Sequence, residues 1–120
     1  MQSILAVDDS ASIRKLVTYV LEGAGFNVVL AEDGVEALDY AQVNDVDLVL
    51  TDVNMPNLDG IGLIEKLRQL PNYKYKPLLV LTTESGTEMK MRGKQAGATG
   101  WIVKPFDPQQ LIATIHKVLA

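Results

Sequence analysis

The 120-residue chain is 48% hydrophobic and 22% charged, holds no cysteine and has a net charge of −4, a length and balance that suit one globular domain. The missing cysteines exclude a disulfide scaffold, a thiolate zinc site and a cysteine nucleophile, and no apolar run approaches the roughly 20 residues that span a bilayer. The charge is uneven: up to Asp59 there are eleven Asp/Glu and two Lys/Arg, and from Gly60 onward four and nine, so the first half suits a site that gathers carboxylates rather than a nucleic-acid platform.

The opening Met1-Gln2-Ser3 has neither the basic stretch nor the apolar core of a secretion signal, which leads us to expect a cytoplasmic protein. Residues 4–7 form the first near-continuous apolar run. Ile13, Leu16, Val17, Val20 and Leu21 then follow the i, i+3, i+4, i+7, i+8 spacing of an amphipathic helix, closed by Gly23 or Gly25. A second run at 28–31 leads to Asp33-Gly34-Val35-Glu36, a capping-box pattern before a helix carrying Val35, Leu38 and Ala41. A third run at 48–50 precedes a helix with Leu63, Ile64, Leu67 and Leu70, and a polar connection at 71–77 leads to a fourth run at 78–81. Ser85-Gly86-Thr87-Glu88 reads as another capping box, opening a polar helix over 87–96 that Gly97 ends. Gly93 lies inside that helix, where glycine costs up to about 1 kcal/mol against alanine, which marks the helix as a candidate for mobility. A fifth run at 101–103 precedes Asp107-Pro108, which starts a last helix with Leu111, Ile112, Ile115, Val118 and Leu119.

Continuous apolar runs are those of parallel strands buried on both faces. Strict βα alternation in this length predicts an α/β, doubly wound open parallel sheet with right-handed crossovers. In such a sheet ligands bind beyond the carboxyl ends of the strands, where strand order reverses. Asp8 and Asp9 follow the first strand, Asp52 the third, Thr82 ends the fourth and Lys104 follows the fifth. Three aspartates and one lysine total −2, so a divalent cation brings the site to neutrality. Oxygen ligands without His or Cys favour a hard ion, Mg²⁺ above all. Taken singly, each residue has an ordinary role: an aspartate after a strand forms a turn or caps a helix, Thr82 ends a strand, and Lys104 reaches solvent. Their meeting at one edge is the signal.

Val7-Asp8-Asp9-Ser10, the stretch from Thr51-Asp52-Val53-Asn54 to Asp59-Gly60, Leu81-Thr82-Thr83-Glu84, and the stretch from Gly97 to Val103-Lys104-Pro105-Phe106 resemble the receiver domains of two-component response regulators, and among these the stand-alone chemotaxis regulators. The landmarks keep family order and spacing across essentially the whole chain. The resemblance implies a flavodoxin-like (βα)5 sheet of strand order 2-1-3-4-5, with residues 1–120 as a single receiver domain without an output domain. It implies that Asp52 accepts a phosphoryl group from a histidine kinase, becoming a 4-aspartylphosphate. Asp9 and Asp52 would bind Mg²⁺ through their side chains, Asn54 through its backbone carbonyl, and Asp8 through metal-bound water. Lys104 would pair with the phosphoryl oxygens, and its bond to Pro105 would be cis. Thr82 would donate its hydroxyl to the phosphoryl group and Trp101 would follow as the switch aromatic, a position where the family usually has Tyr or Phe. Asn54 and Glu84 match positions that tune the phosphoryl lifetime, and Lys90, Arg92 and Lys94 lie where relatives meet partners, although a solvated helix face is the better explanation of those three charges. His116, beside the last apolar stripe, reads as a surface residue.

The expected protein is a monomeric, slowly self-dephosphorylating switch rather than a turnover enzyme, with the flagellar motor switch as its expected target and neither nucleic acid nor membrane as partner. Three rival readings fare less well or differ in partner. An aspartyl-phosphate phosphohydrolase carries its nucleophile after the first strand with a second acid two residues on, whereas Asn54 holds that place here. A flavin carrier needs a phosphate cradle where this chain has acids. A phosphorelay intermediate, passing its phosphate to a histidine phosphotransferase, has the same site and differs only in partner.

Overall fold

Strands and helices alternate through residues 1–120, all of which are described by a computed structural model. The strands are β1 (Ser3–Val7), β2 (Asn27–Ala31), β3 (Leu48–Thr51), β4 (Leu78–Thr82) and β5 (Gly100–Val103). The helices are α1 (Ala11–Gly23), α2 (Gly34–Val43), α3 (Gly60–Arg68), α4 (Thr87–Ala96) and α5 (Pro108–Leu119), with a 3₁₀ turn at Pro71–Tyr73 before β4. All strand pairs are parallel, in the order β2-β1-β3-β4-β5. This is the doubly wound, flavodoxin-like arrangement expected.

Alternate residues of the central strands enter two separate cores, which is why their sequences run apolar without a break. Leu5, Val7, Val49, Leu78 and Val80 pack with Ala37 and Ala41 of α2 and Leu63, Ile64 and Leu67 of α3. Ile4, Ala6, Leu48, Leu50, Leu79 and Leu81 pack on the other face with Val17, Val20 and Leu21 of α1 and Leu111 and Ile115 of α5. Burial on both faces does not extend to the edge strands: all four residues of β5 are half-buried, and Leu30 of β2 is exposed. Two helix positions read as core are also exposed, Leu16 of α1 and Val35 of α2. Each sits on the shoulder of its stripe, about 100° around the helix from the residue that packs next to it.

Side-chain caps start four helices. Ser10, Asp33, Asp59 and Asp107 accept from the backbone N–H groups of Ile13, Glu36, Gly62 and Gln109 respectively. The capping box expected at Ser85 does not form, because the N-cap position of α4 falls on Gly86, which has no side chain to cap with. After α1 it is Gly25 that takes the left-handed conformation (φ 92°) while Gly23 ends the helix, and Gly97 closes α4 at φ 111°.

The polar connection before β4 proves to be anchored. Tyr73 is fully buried, its hydroxyl donating to the Asn44 carbonyl at 2.6 Å and accepting from the Val46 N–H at 3.2 Å. Burial, opposed by the Val46 N–H, raises its phenol pKa. Arg68, at the end of α3, donates to the carbonyls of Tyr73, Lys76 and Gly97 at 2.7–3.0 Å. It thereby ties the entry to β4 to the entry to β5, and its partial desolvation lowers its pKa.

Candidate functional site

Register brings the acids together. Val7 pairs with Ala31 on one side and Thr51 on the other, so the next residue of each central strand, Asp8 and Asp52, emerges at the same level of the carboxyl edge. The Asp52 N–H donates to the Val7 carbonyl at 3.0 Å, and the Lys104 N–H donates to the Thr82 carbonyl at 2.8 Å, extending the pairing one residue past the strands on both flanks. Because β2 lies on the far side of β1, strand order reverses at β1/β3, and the crevice opens there.

Lys104 reaches back across this edge. Its Nζ donates to Asp8 Oδ2 at 2.7 Å and to Asp52 Oδ2 at 2.9 Å. The three side chains are only 8–12% exposed. Burial alone works to lower the ammonium pKa, but the hydrogen bonds and charges of the two carboxylates outweigh it and raise the pKa above the ordinary lysine value. The remaining oxygens are held from below. Asp8 Oδ1 accepts from the Ser10 N–H at 2.9 Å and Asp52 Oδ1 from the Val53 N–H at 2.6 Å. Asp9 stands exposed at the mouth, and one oxygen from each of Asp8, Asp9 and Asp52 lies within 4.8 Å of the other two. Three convergent carboxylates with a single cation between two of them form a hard-oxygen donor set that can hold a metal ion, and a divalent cation fits its charge.

The β3–α3 loop frames Asp52. Gly60 must be glycine, because a Cβ there would collide with the Asp52 carbonyl. Asn57, at φ 70°, donates from Nδ2 to Asp33 Oδ2 at 2.7 Å, and the Gly34 N–H donates to the Leu58 carbonyl at 3.1 Å. The loop is thus docked on the start of α2. The Glu36 N–H, with help from the Asn57 amide, holds the Asp33 carboxyl below its usual pKa. Asn54 projects into solvent from this loop.

Thr82 is fully buried, and its Oγ accepts from the Glu84 N–H at 3.3 Å. The next carbonyl out, that of Glu84, accepts from Trp101 Nε1 at 2.8 Å. A continuous path therefore leads from Thr82, one strand from Asp52, to the indole on the outer strand. The Lys104–Pro105 peptide bond is cis. His116 is exposed and makes a tilted ring contact with Phe26, 5.4 Å between centroids, far from the acids along α5.

Sequence alone assigned no functional role to two residues that the structure places beside these groups. Arg14, in the first turn of α1, donates from its guanidinium to the Asp8 carbonyl at 2.7 Å and pairs loosely with Glu32 at 3.5 Å. It is one of only two basic residues before Gly60, and that rarity was the available signal. Gly93 is the one buried residue of α4 and lies against Trp101. Nothing in a linear sequence marks an interior helix glycine as a packing site.

Residues 4–116 match the response regulator receiver domain family. The chain is 40% identical over 118 residues to a chemotaxis protein CheY homolog of Campylobacter jejuni, covering 97% of this chain and 91% of that one. Among solved structures it is similar to the chemotaxis protein CheY4 of Vibrio cholerae, with 47% identity, 98% of each chain covered and a TM-score of 0.94. It is also similar to the receiver domain of the Pseudomonas aeruginosa sensor histidine kinase PA1611, with 27% identity, 98% and 97% coverage and a TM-score of 0.92; that structure has a magnesium ion coordinated in its active-site cleft.

Proposed function

The chain belongs to the response regulator receiver domain family, and from that premise we propose that it is a chemotaxis regulator switched by phosphorylation of Asp52. The observation that carries the reading is the Lys104 ammonium held between Asp8 and Asp52 at the reversal point of the sheet, with Asp9 at the mouth.

An Asp52 carboxylate oxygen attacks the phosphorus of a phosphohistidine on a sensor kinase. The new O–P bond forms as the N–P bond breaks, and the histidine nitrogen leaves with the electron pair. Little covalent assistance is needed, so the protein's contribution is positioning and charge. Lys104, already 2.9 Å from Asp52, pairs with a phosphoryl oxygen, and Asp8 keeps the ammonium from swinging away. Asp8, Asp9, Asp52 and the Asn54 carbonyl are the groups that would hold Mg²⁺, whose charge would offset that gathered on the phosphoryl oxygens. Magnesium in the cleft of the PA1611 receiver domain supports this choice. Asn54 and Glu84, beside the pocket, govern how readily water reaches the acyl phosphate, and its slow hydrolysis resets the switch. The protein is a signalling device, not a turnover enzyme.

The phosphoryl group adds roughly −1.5 to −2 charge at the strand edge. It draws the Thr82 hydroxyl, which gives up the Glu84 N–H as its donor, and the shift passes through the Glu84 carbonyl to Trp101 and the α4–β5 surface. There a cytoplasmic protein target is engaged by the monomer, the flagellar motor switch in the chemotaxis reading that the CheY relatives support. Labelling with acetyl phosphate or a phosphorylated kinase tests the assignment. Asp52→Asn should abolish it and Asp59→Asn, which keeps a competent cap on α3, should label normally. Labelling of the Asp52 variant at the wild-type rate would overturn the reading.

A further inference from the structure

We propose that Gly93 is a positioning residue of the switch: it is the slot in α4 that admits the Trp101 indole, and the pairing of a glycine at 93 with a tryptophan at 101 fixes where the output ring can sit. The switching part of this proposal rests on the function proposed above; the steric part does not.

The indole is held at both ends. Its Nε1 donates to the Glu84 carbonyl on the β4–α4 loop at 2.8 Å, while its six-membered ring lies over the α-carbon of Gly93. A Cβ built at Gly93 would come 2.6 Å from Cζ3 and 3.0 Å from Cε3 of Trp101. Carbon atoms in contact settle near 3.5–4.0 Å, so alanine there would require the ring or the helix to retreat by about an ångström. Neither end of the indole allows it. Moving the ring outward stretches the bond to Glu84, and the end of α4 is tied to α3 through Gly97, whose carbonyl accepts from Arg68 Nε and Nη2 at 3.0 and 2.7 Å. The fused bicycle has no internal torsion to absorb the mismatch.

The same contact explains the glycine inside α4. A helix with one buried position places there a residue that costs about 1 kcal/mol against alanine, because the ring opposite needs the space. A phenyl ring at position 101 lacks the outer atoms Cζ3 and Cε3 of the indole, so it would leave room for a Cβ at 93. The ring at 101 and the residue at 93 are therefore one steric unit, and a displacement of the Glu84 carbonyl is transmitted to α4 only while the indole is seated in the slot.

The test compares Gly93→Ala in two backgrounds. With Trp101 present, the substitution should lower Tm and shift the sole tryptophan's emission to longer wavelength with greater acrylamide quenching, as the ring leaves the slot. It should also abolish the emission change produced by beryllofluoride while labelling at Asp52 continues at the wild-type rate. In Trp101→Phe the same substitution should raise Tm, by about 3–5 °C, since only the helix-propensity gain of alanine remains. The opposite signs are the signature of the pairing. An increase in Tm of equal size in both backgrounds, or unchanged emission and quenching in Gly93→Ala, would overturn it. Failure of the wild-type protein to label at Asp52 would instead remove the reading of function, and the comparison of the two Tm changes would still decide the pairing.

Discussion

Replacing Lys104 with methionine keeps the length and most of the volume of the side chain and removes its charge. The ammonium lies 2.7 and 2.9 Å from two carboxylates that are 8% and 12% exposed. Without it, Asp8, Asp9 and Asp52 keep three like charges whose facing oxygens lie within 4.8 Å of one another. At an effective dielectric constant of about 20, each such pair repels by roughly 3 kcal/mol. Removing one partner of a buried ion pair generally costs about 3–5 kcal/mol, because the remaining charge is left uncompensated. Lys104→Met should therefore lower stability by about 3–5 kcal/mol at neutral pH without divalent cation, and Tm by about 10–20 °C in a chain of this size. Urea unfolding followed by far-UV circular dichroism measures the change. Adding Asp8→Asn should return part of the loss, since it removes one of the repelling charges, and the double variant should depart strongly from additivity. Phosphoryl labelling should fall by about 10²–10³-fold, as when a pre-positioned charge stabiliser is removed. A Lys104→Met protein as stable as the wild type, with no gain from Asp8→Asn, would refute the claim that Lys104 holds the acids together.

Mg²⁺ binding to the folded pocket should raise stability by RT ln(1 + [L]/Kd), about 1.4 kcal/mol at ten times Kd. Asp9→Ala should erase that response in calorimetry and stabilise the metal-free protein, and a Tm indifferent to millimolar Mg²⁺ would count against the metal site. Tyr73→Phe should cost about 1–3 kcal/mol by orphaning the Val46 N–H. Because burial raises the Tyr73 pKa in the folded state, its contribution is complete below the ordinary phenol pKa of about 10 and is lost as pH climbs through the folded value. Stability curves from pH 8 to 12 should fall less steeply for the phenylalanine variant. Thr82→Ala should leave Asp52 able to accept phosphate yet weaken the accompanying change in Trp101 emission, and a full-sized change would exclude Thr82 from the relay.

Much of this protein was legible in one dimension because its signals are local. The five apolar runs, the helical stripes and the caps at Asp33 and Asp107 depend on neighbours within a few residues, and strict βα alternation leaves few topologies open. The positions of Asp8, Asp52, Thr82 and Lys104 at strand ends could also be read, since a residue following a parallel strand lies at the carboxyl edge whatever the strand order. What remained hidden depends on distances between segments far apart in sequence. The β1–β3 register alone sets Asp8 beside Asp52, and only the completed sheet lets Lys104 span 96 residues to reach Asp8. Tyr73 looked like part of a polar connection because its two partners lie 27 and 29 residues away. Gly93 looked like a defect in a weak helix until a neighbouring strand brought an indole over it. Helix propensity is a property of a segment, whereas the space a side chain needs is a property of whatever folds against it, and the second was decided only when β5 docked beside α4.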